Sequence, residues 1–405
     1  RSRDFVRALI NARPEWDVKI LSQRWGNTPM DALKVGEDDD LLSRVIVEKT
    51  DKKPNVWIQI TVPNEFQPVG DYNIGVTAGV ETTIMPPECL EGMDRVLVSS
   101  EFSKEVSTKS VYDKKDEKTN QLIGKLELNK PIDVLFEGIN LDVYDNKKPS
   151  EPRIDTILKD VKESFCFLFV GHWLKGNFEQ DRKNVGGMIR VFLEAFKDKR
   201  NPPALIVKTN KGGSSLTDRV YTKKMIQAIK DSVGSNKLPN IYLLNSDLTD
   251  AEVNALYNHS KVKAHLSFTR GEGFGRPLLE ATISGKPMVV SAWSGHVDFL
   301  NKNMVNLIGG ELTKVHESAA DDKFILKDAK WFQIDYSVAG GTMKDIVKNY
   351  KPYLEKSRKH RQYTKDNFSF EKMQEMLDTY LKEADEAKVT PQQVKIQLPK
   401  LKKVK

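Results

Sequence analysis

The chain is poor in the features that mark special protein classes. It holds two cysteines in 405 residues. Cys89 and Cys166 lie in apolar stretches of different halves, which argues against a disulfide framework or a thiolate metal site and predicts reduced, buried thiols. No apolar run approaches the roughly 18 residues needed to span a bilayer, and no charged-then-apolar leader precedes the first helix-like segment. These absences predict a soluble, cytoplasmic chain. Charge of one sign is scarce outside the end. The net charge is +7, but five lysines (Lys395, Lys400, Lys402, Lys403 and Lys405) fall in an acid-free stretch from Val389 onward, leaving the rest near +2. The body therefore gives no sign of a nucleic-acid or membrane partner. The tail reads as a solubilising end whose partner, if any, the sequence does not identify. Asp38-Asp39-Asp40 has an Asp-x-Asp spacing but falls in a polar loop, and is read as a solvated acidic surface with no metal role.

What is present suits two globular domains. Hydrophobic residues at 39% and charged residues at 30% exclude global disorder, and 405 residues exceed what one compact core usually organises. Two domains imply a cleft. Phe5, Val6, Leu9 and Ile10 recur at helical spacing, so the chain opens with a helix over 1–12, followed by a strand over Trp16–Leu21. Strand-like runs follow at Val56–Val62, Tyr72–Thr77, Arg95–Ser99 and Ile132–Phe136. A polar stretch from Asp142 to Ser150 reads as a linker holding the hinge. Beyond it strands and helices alternate regularly: Phe165–Val170, Val185–Phe196, Ala204–Val207, Asp218–Ile229, Ile241–Leu244, Ala251–Tyr257, Ala264–Phe268, Pro277–Ser284 and Met288–Val290. This predicts an α/β chain with two Rossmann-like, doubly wound halves. An amphipathic segment, Phe370–Ala387, carries Met373, Met376, Leu377 and Leu381 on one face.

The segment richest in chemistry is Arg270-Gly271-Glu272-Gly273-Phe274-Gly275-Arg276-Pro277-Leu278-Leu279-Glu280-Ala281. It falls where a strand ends and a helix begins, the side of a parallel sheet that faces ligand. Glycines there admit a close ligand, Pro277 suits a first helical turn, and the helix start favours a diphosphate. Glu280 lies one turn inside the helix, so both carboxylates are expected to face one crevice.

The two glutamates around Gly-Phe-Gly, followed by Pro-Leu-Leu-Glu-Ala, resemble the donor-site motif of family 4 retaining GT-B glycosyltransferases. Phe169-Val170-Gly171-His172 with Arg182-Lys183-Asn184 resembles that family's first donor strand and basic loop. Phe136-Glu137-Gly138-Ile139-Asn140, Ser99-Ser100-Glu101-Phe102-Ser103 and Asn367-Phe368-Ser369-Phe370-Glu371 resemble further family stretches, so the likeness runs from about residue 72 to 385. It implies an acceptor-side domain over 1–145, a donor domain over 146–366, a crossover helix over 367–388 and the basic tail over 389–405. It also implies metal-independent transfer of a sugar from a nucleotide-sugar donor, UDP- or GDP-linked, to an acceptor hydroxyl, with no cofactor. Lys183 and Arg182 would meet the diphosphate beside Gly273, Phe274 and Gly275. Glu272 would sit by the donor sugar and Glu280 on the ribose hydroxyls. The family often has Arg where this chain has His172, which leaves the second phosphate contact to His172, Arg182 or Arg270. Lys208, at the end of the next strand, joins the donor-binding candidates.

On the acceptor side, Glu81 in Thr77-Ala78-Gly79-Val80-Glu81-Thr82 is expected either to orient the acceptor as a catalytic residue or to serve backbone amides at a helix start. His296, in Ser291-Ala292-Trp293-Ser294-Gly295-His296, is read as flanking the donor sugar or as a plain loop residue. The family normally opens with a strand and a glycine-rich loop, and this sequence opens at what reads as the helix after them, the pattern of a fragment. The acceptor is expected to be a glycan. The alternatives are hydroxymethylated bases of viral DNA, with the Leu-Pro-Lys-Leu-Lys-Lys ending reminiscent of viral relatives and a host cytoplasmic location, or a non-catalytic nucleotide-sugar binding protein.

Overall fold

The computed structural model describes residues 2–23, 33–47, 52–87, 92–116, 118–147, 150–177, 179–210, 214–321 and 324–389. Cys89, Lys148 and Pro149 of the linker, and the tail lysines from Lys395 on, lie outside them.

The C-terminal half is built on a six-stranded parallel sheet in the order Ile241–Leu244, Ala204–Lys208, Cys166–Val170, Val262–Ser267, Met288–Ser291, Asn306–Ile308. Its strands are apolar runs because both faces are covered. Cys166 and Leu168 join Ile206, Val262 and Val290 in one core cluster, while Phe167 and Phe169 join Leu205, Val207, Ala264 and Val289 in the other. The strand order reverses on either side of Cys166–Val170, so the ligand crevice of such a sheet opens beyond the carboxyl ends of this strand and its neighbour Val262–Ser267.

The N-terminal half carries a four-stranded parallel sheet in the order Val56–Ile60, Tyr72–Thr77, Arg95–Val98, Ile132–Val134. Helix Ser2–Ala12 packs against helix Phe370–Tyr380. The return of the chain to this half is pinned by the backbone bridge Ile139–Ser369, and by Tyr380 Oη donating to the Val134 carbonyl at 3.0 Å. One apolar cluster runs from Phe5 and Ile74 through Met373 and Leu377 to Leu279.

Several expectations need correction. Only Ile20–Leu21 of the run from Trp16 is strand, paired in parallel with Val45–Ile46, since Asp17 and Lys19 face solvent and break the apolar pattern. The final amphipathic segment is two helices, Phe370–Tyr380 and Lys382–Val389, divided at the fully buried Leu381. Asp38 is not solvated: it is 3% exposed and accepts hydrogen bonds from Arg7 Nη2 and the Lys34 amide, fastening the first helix to the following loop. Two antiparallel strand pairs were not foreseen, Tyr112–Lys115 with Leu122–Leu126 and Gly310–Lys314 with Lys330–Ile334, since the first strand of each is largely polar and exposed and shows no apolar period. Cys166 is a free, buried thiol whose pKa is pushed up to about 12 by burial. Among the described residues, no helix is long and apolar enough to cross a membrane.

Candidate active site

The carboxyl ends of the two parallel sheets face each other, and the loops leaving them touch. From the N-terminal half come Thr77–Glu81 after one strand and Ser99–Ser103 after the next. From the C-terminal half come Gly171–His172, the Asp181–Asn184 loop and Thr269–Gly275. The Ser100 hydroxyl donates to the Gly273 carbonyl at 2.5 Å, and Ser99 Oγ donates to the same oxygen at 3.2 Å. Asp298 accepts the Glu101 amide at 2.7 Å, so a carboxylate of one half caps a helix of the other. Burial raises the Asp298 pKa to about 6 against that hydrogen bond. Beside them Trp293 lies stacked on Phe332 and meets Phe102 of the opposite half edge to face, with centroids 4.8 Å apart.

Gly273 makes this contact feasible, and Gly275 makes the turn that follows it. A Cβ on Gly273 would lie 2.3 Å from the Ala78 carbonyl oxygen, so a side chain there would prise the halves apart. Gly275 has φ +93° at the cap of helix Arg276–Thr282, a left-handed conformation that glycine adopts at little cost.

Glu272 is the electrostatic centre. It is 6% exposed. Lys183 Nζ lies 2.5 Å from its Oε1 and Arg182 Nη1 lies 3.3 Å from its Oε2. Burial alone would raise the Glu272 pKa, but the two cations outweigh it and hold the carboxyl at about 2. Burial pulls the Lys183 pKa down against the attraction of Glu272, whereas Arg182, also buried, is held up by Glu81 and Glu272. Glu81 enters from the other half, its Oε1 3.4 Å from Arg182 Nη2. Residues distant in sequence thus converge on one charge cluster at the sheet's switch point.

The remaining candidates are placed as follows. His172 pairs through Nδ1 with Asn210 Oδ1 at 2.5 Å, at the ends of neighbouring strands. Lys208 ends the strand that leads to Asn210, and burial lowers its pKa. Arg270 commits its head to the donor half's own loops, donating to the Glu179 carbonyl at 2.8 Å and to the Gln333 side chain, over the ring of Trp331. His296 is fully buried; its Nε2 lies 2.7 Å from the Ser291 carbonyl, which can only accept, so Nε2 carries the proton and His296 anchors the loop. Glu280 does not share Glu272's partners. It is 8% exposed and pairs with Arg276 Nε at 3.0 Å. The left-handed turn at Gly275 separates the two glutamates, and Glu280 packs on the side of Tyr144 and Tyr257. Burial raises its pKa to about 7, with Arg276 opposing.

Sequence reading passed over Arg276, Ser100 and Asp298. For Arg276 the signal was available, because Arg and Glu four apart on a helix face one another. For the other two it was not, since each acts across the crevice.

Residues 218–328 match the model of the family Glycosyl transferases group 1. No curated protein is similar in sequence. Among solved structures, a glycosyltransferase from Rickettsia africae is 16% identical, covering 79% of this chain and 71% of that one, with a TM-score of 0.53. An Escherichia coli trehalose-6-phosphate structure bound with UDP-2-fluoro glucose is 11% identical over 82% of this chain and 73% of that one, TM-score 0.51. Sucrose-phosphate synthase from Thermosynechococcus elongatus is 14% identical over 78% and 68%, TM-score 0.50. At such identities the likeness is one of fold. The chain thus has the GT-B fold of two Rossmann-like domains, and its segment 218–328, which holds both glutamates, carries the match to group 1 glycosyl transferases.

Proposed function

We propose that the protein is a retaining glycosyltransferase that moves a sugar from a nucleoside diphosphate, UDP in the first instance, to an acceptor hydroxyl of a glycan. The observation that carries this reading is the convergence of Lys183, Arg182 and Glu272 at the switch point of the C-terminal sheet. A diphosphate arriving there takes over the two cations and releases Glu272 to accept hydrogen bonds from sugar hydroxyls. In the step itself the bond from the anomeric carbon to the diphosphate oxygen breaks, and its electron pair leaves with the diphosphate. Lys183 and Arg182 stabilise that growing charge, the largest catalytic term such a site offers. The acceptor oxygen bonds to the anomeric carbon from the face the diphosphate leaves, and its proton passes to a phosphate oxygen. This reading needs no metal, the cations of the chain opposing the charge. Glu81, tied to Arg182, is the residue of the N-terminal half best placed to orient the acceptor. In this reading residues 146–366 bind donor, 1–145 bind acceptor, and the helix after residue 367 straps the two together.

The test is release of free nucleoside diphosphate from a panel of UDP-, GDP- and ADP-sugars, with glycan acceptors and with hydroxymethylated DNA, against a Glu272→Gln control. Release that requires Glu272 supports the reading and identifies the donor. Stimulation by the DNA instead of a glycan moves the acceptor to modified bases. Binding without release points to a nucleotide-sugar binding protein and overturns the enzymatic reading.

A further inference from the structure

Arg276 opens the helix that carries Glu280, and its guanidinium is spread between two carboxylates from different halves of the molecule. Nε lies 3.0 Å from Glu280 Oε1, and Nη1 lies 2.5 Å from Oδ2 of Asp4 on helix Ser2–Ala12. Neither arm is a loose surface pair. The Arg276, Asp4 and Glu280 side chains are 24%, 18% and 10% exposed, and the first helix is itself clamped by the returning helix Phe370–Tyr380. Other charged or titratable groups face the pair from each packed element. Asp250 and Tyr257 come from helix Asp250–Asn258, Tyr144 from the linker, and Glu137 from the loop after the last N-terminal strand. Burial and Asp250 favour the neutral acid of Glu280, whereas Arg276, the cation paired with it among the described residues, and a hydrogen bond from Tyr144 favour the carboxylate. A neutral acid keeps one oxygen as a proton donor and accepts poorly, whereas a carboxylate accepts from two neighbouring hydroxyls at once.

We propose that Arg276 is a positioning residue for the nucleotide: anchored by Asp4, it holds the Glu280 carboxylate charged and fixed so that it accepts hydrogen bonds from the ribose hydroxyls. The inference rests on the donor reading above, in which Glu280 meets the ribose. It also makes the first helix, through Asp4, a contributor to nucleotide binding.

The experiment is calorimetric binding of UDP-glucose to the full chain from pH 5.5 to 9, for wild type, Glu280→Gln, Arg276→Leu, Arg276→Gln and Arg276→Lys, with melting curves to establish folding. Wild-type affinity is expected to weaken as pH falls through about 7, the region in which Glu280 takes up its proton. Glu280→Gln should bind weakly with no such limb. Arg276→Leu should bind about tenfold more weakly at pH 7 and move the limb at least one unit to higher pH, a tenfold change corresponding to one unit. Arg276→Gln, which keeps a donor for Glu280 but no charge, should move it likewise if the leucine variant does not fold. Arg276→Lys should restore the wild-type limb. A folded Arg276→Leu or Arg276→Gln variant with the wild-type limb overturns the proposal while leaving the donor reading intact, and wild-type affinity in Glu280→Gln overturns the ribose contact and the proposal with it. A wild-type chain that binds none of the nucleotide-sugars of the panel removes both.

Discussion

Lys183 and Glu272 lie 89 residues apart in sequence, yet Nζ of one is 2.5 Å from Oε1 of the other, with Arg182 on the second oxygen. The pair is buried, so neither partner is dispensable to the fold. Removing one member of such a pair typically costs about 3 kcal/mol or more, because the other is left buried and uncompensated. Glu272→Gln is expected to melt well below wild type and to lower nucleoside diphosphate release about 100-fold or more. Unchanged turnover in the folded variant would remove Glu272 from the site.

The same pair sets a pH dependence. Glu272 has a folded pKa of about 2 against an ordinary value of 4.5. A depressed carboxyl contributes stability that is present above its unfolded value and is lost as pH falls through that value toward the folded one. Between pH 4.5 and 2 the wild type should therefore lose up to about 3 kcal/mol from this group, at about 1.4 kcal/mol per unit. Urea titrations of wild type and Glu272→Gln should show curves that converge as pH falls through this window. Parallel curves would mean that the carboxylate is not held by its cations.

Gly273→Ala tests the contact of the two halves. The added methyl meets the Ala78 carbonyl oxygen at 2.3 Å, and backbone must shift. A loss of about 1–3 kcal/mol is expected, with turnover falling alongside. Gly341→Ala is the control: that glycine lies on an exposed helix face with nothing within 4 Å, and alanine there should stabilise by about 0.5–1 kcal/mol. Equal melting shifts for the two would contradict the close approach at Gly273.

Arg13 ends the first helix and is 7% exposed, paired with Asp378 and with Asp385 at 2.8 Å. The two acids are partly exposed, which screens the pairs, so Arg13→Ala should cost about 1–2 kcal/mol. The loss should be local. Limited proteolysis is expected to cut faster within Lys382–Val389 in the variant, and an unaltered cleavage pattern would show that these helices are held by apolar packing alone.

Five of the six donor-sheet strands were legible to within two residues because their runs are largely apolar, whereas the three-residue edge strand Asn306–Ile308 was too short to stand out. Val185–Phe196 was legible to the residue because its apolar face is wide and its ends are polar. Hairpin Gly310–Lys314 was not, since an exposed strand such as Gly-Glu-Leu-Thr-Lys has no apolar period to detect. The motif around Glu272 pointed to the crevice, but nothing in local spacing says that Lys183 rather than Arg270 reaches its carboxylate. Arg270 sits two residues away and is drawn instead to Gln333, on a hairpin the sequence did not reveal, and to the Glu179 carbonyl. Local pattern reports what an element buries in its own layer. Pairings between layers are set by the topology that brings loop ends together.

The aromatic contact across the crevice gives the molecule an optical gauge of its own state. Trp293 is sandwiched between Phe332 of its own half and Phe102 of the other. Any widening of the crevice carries Phe102 away and hands that face of the indole to water, so the emission of Trp293 should shift to the red when the halves separate and to the blue when they close.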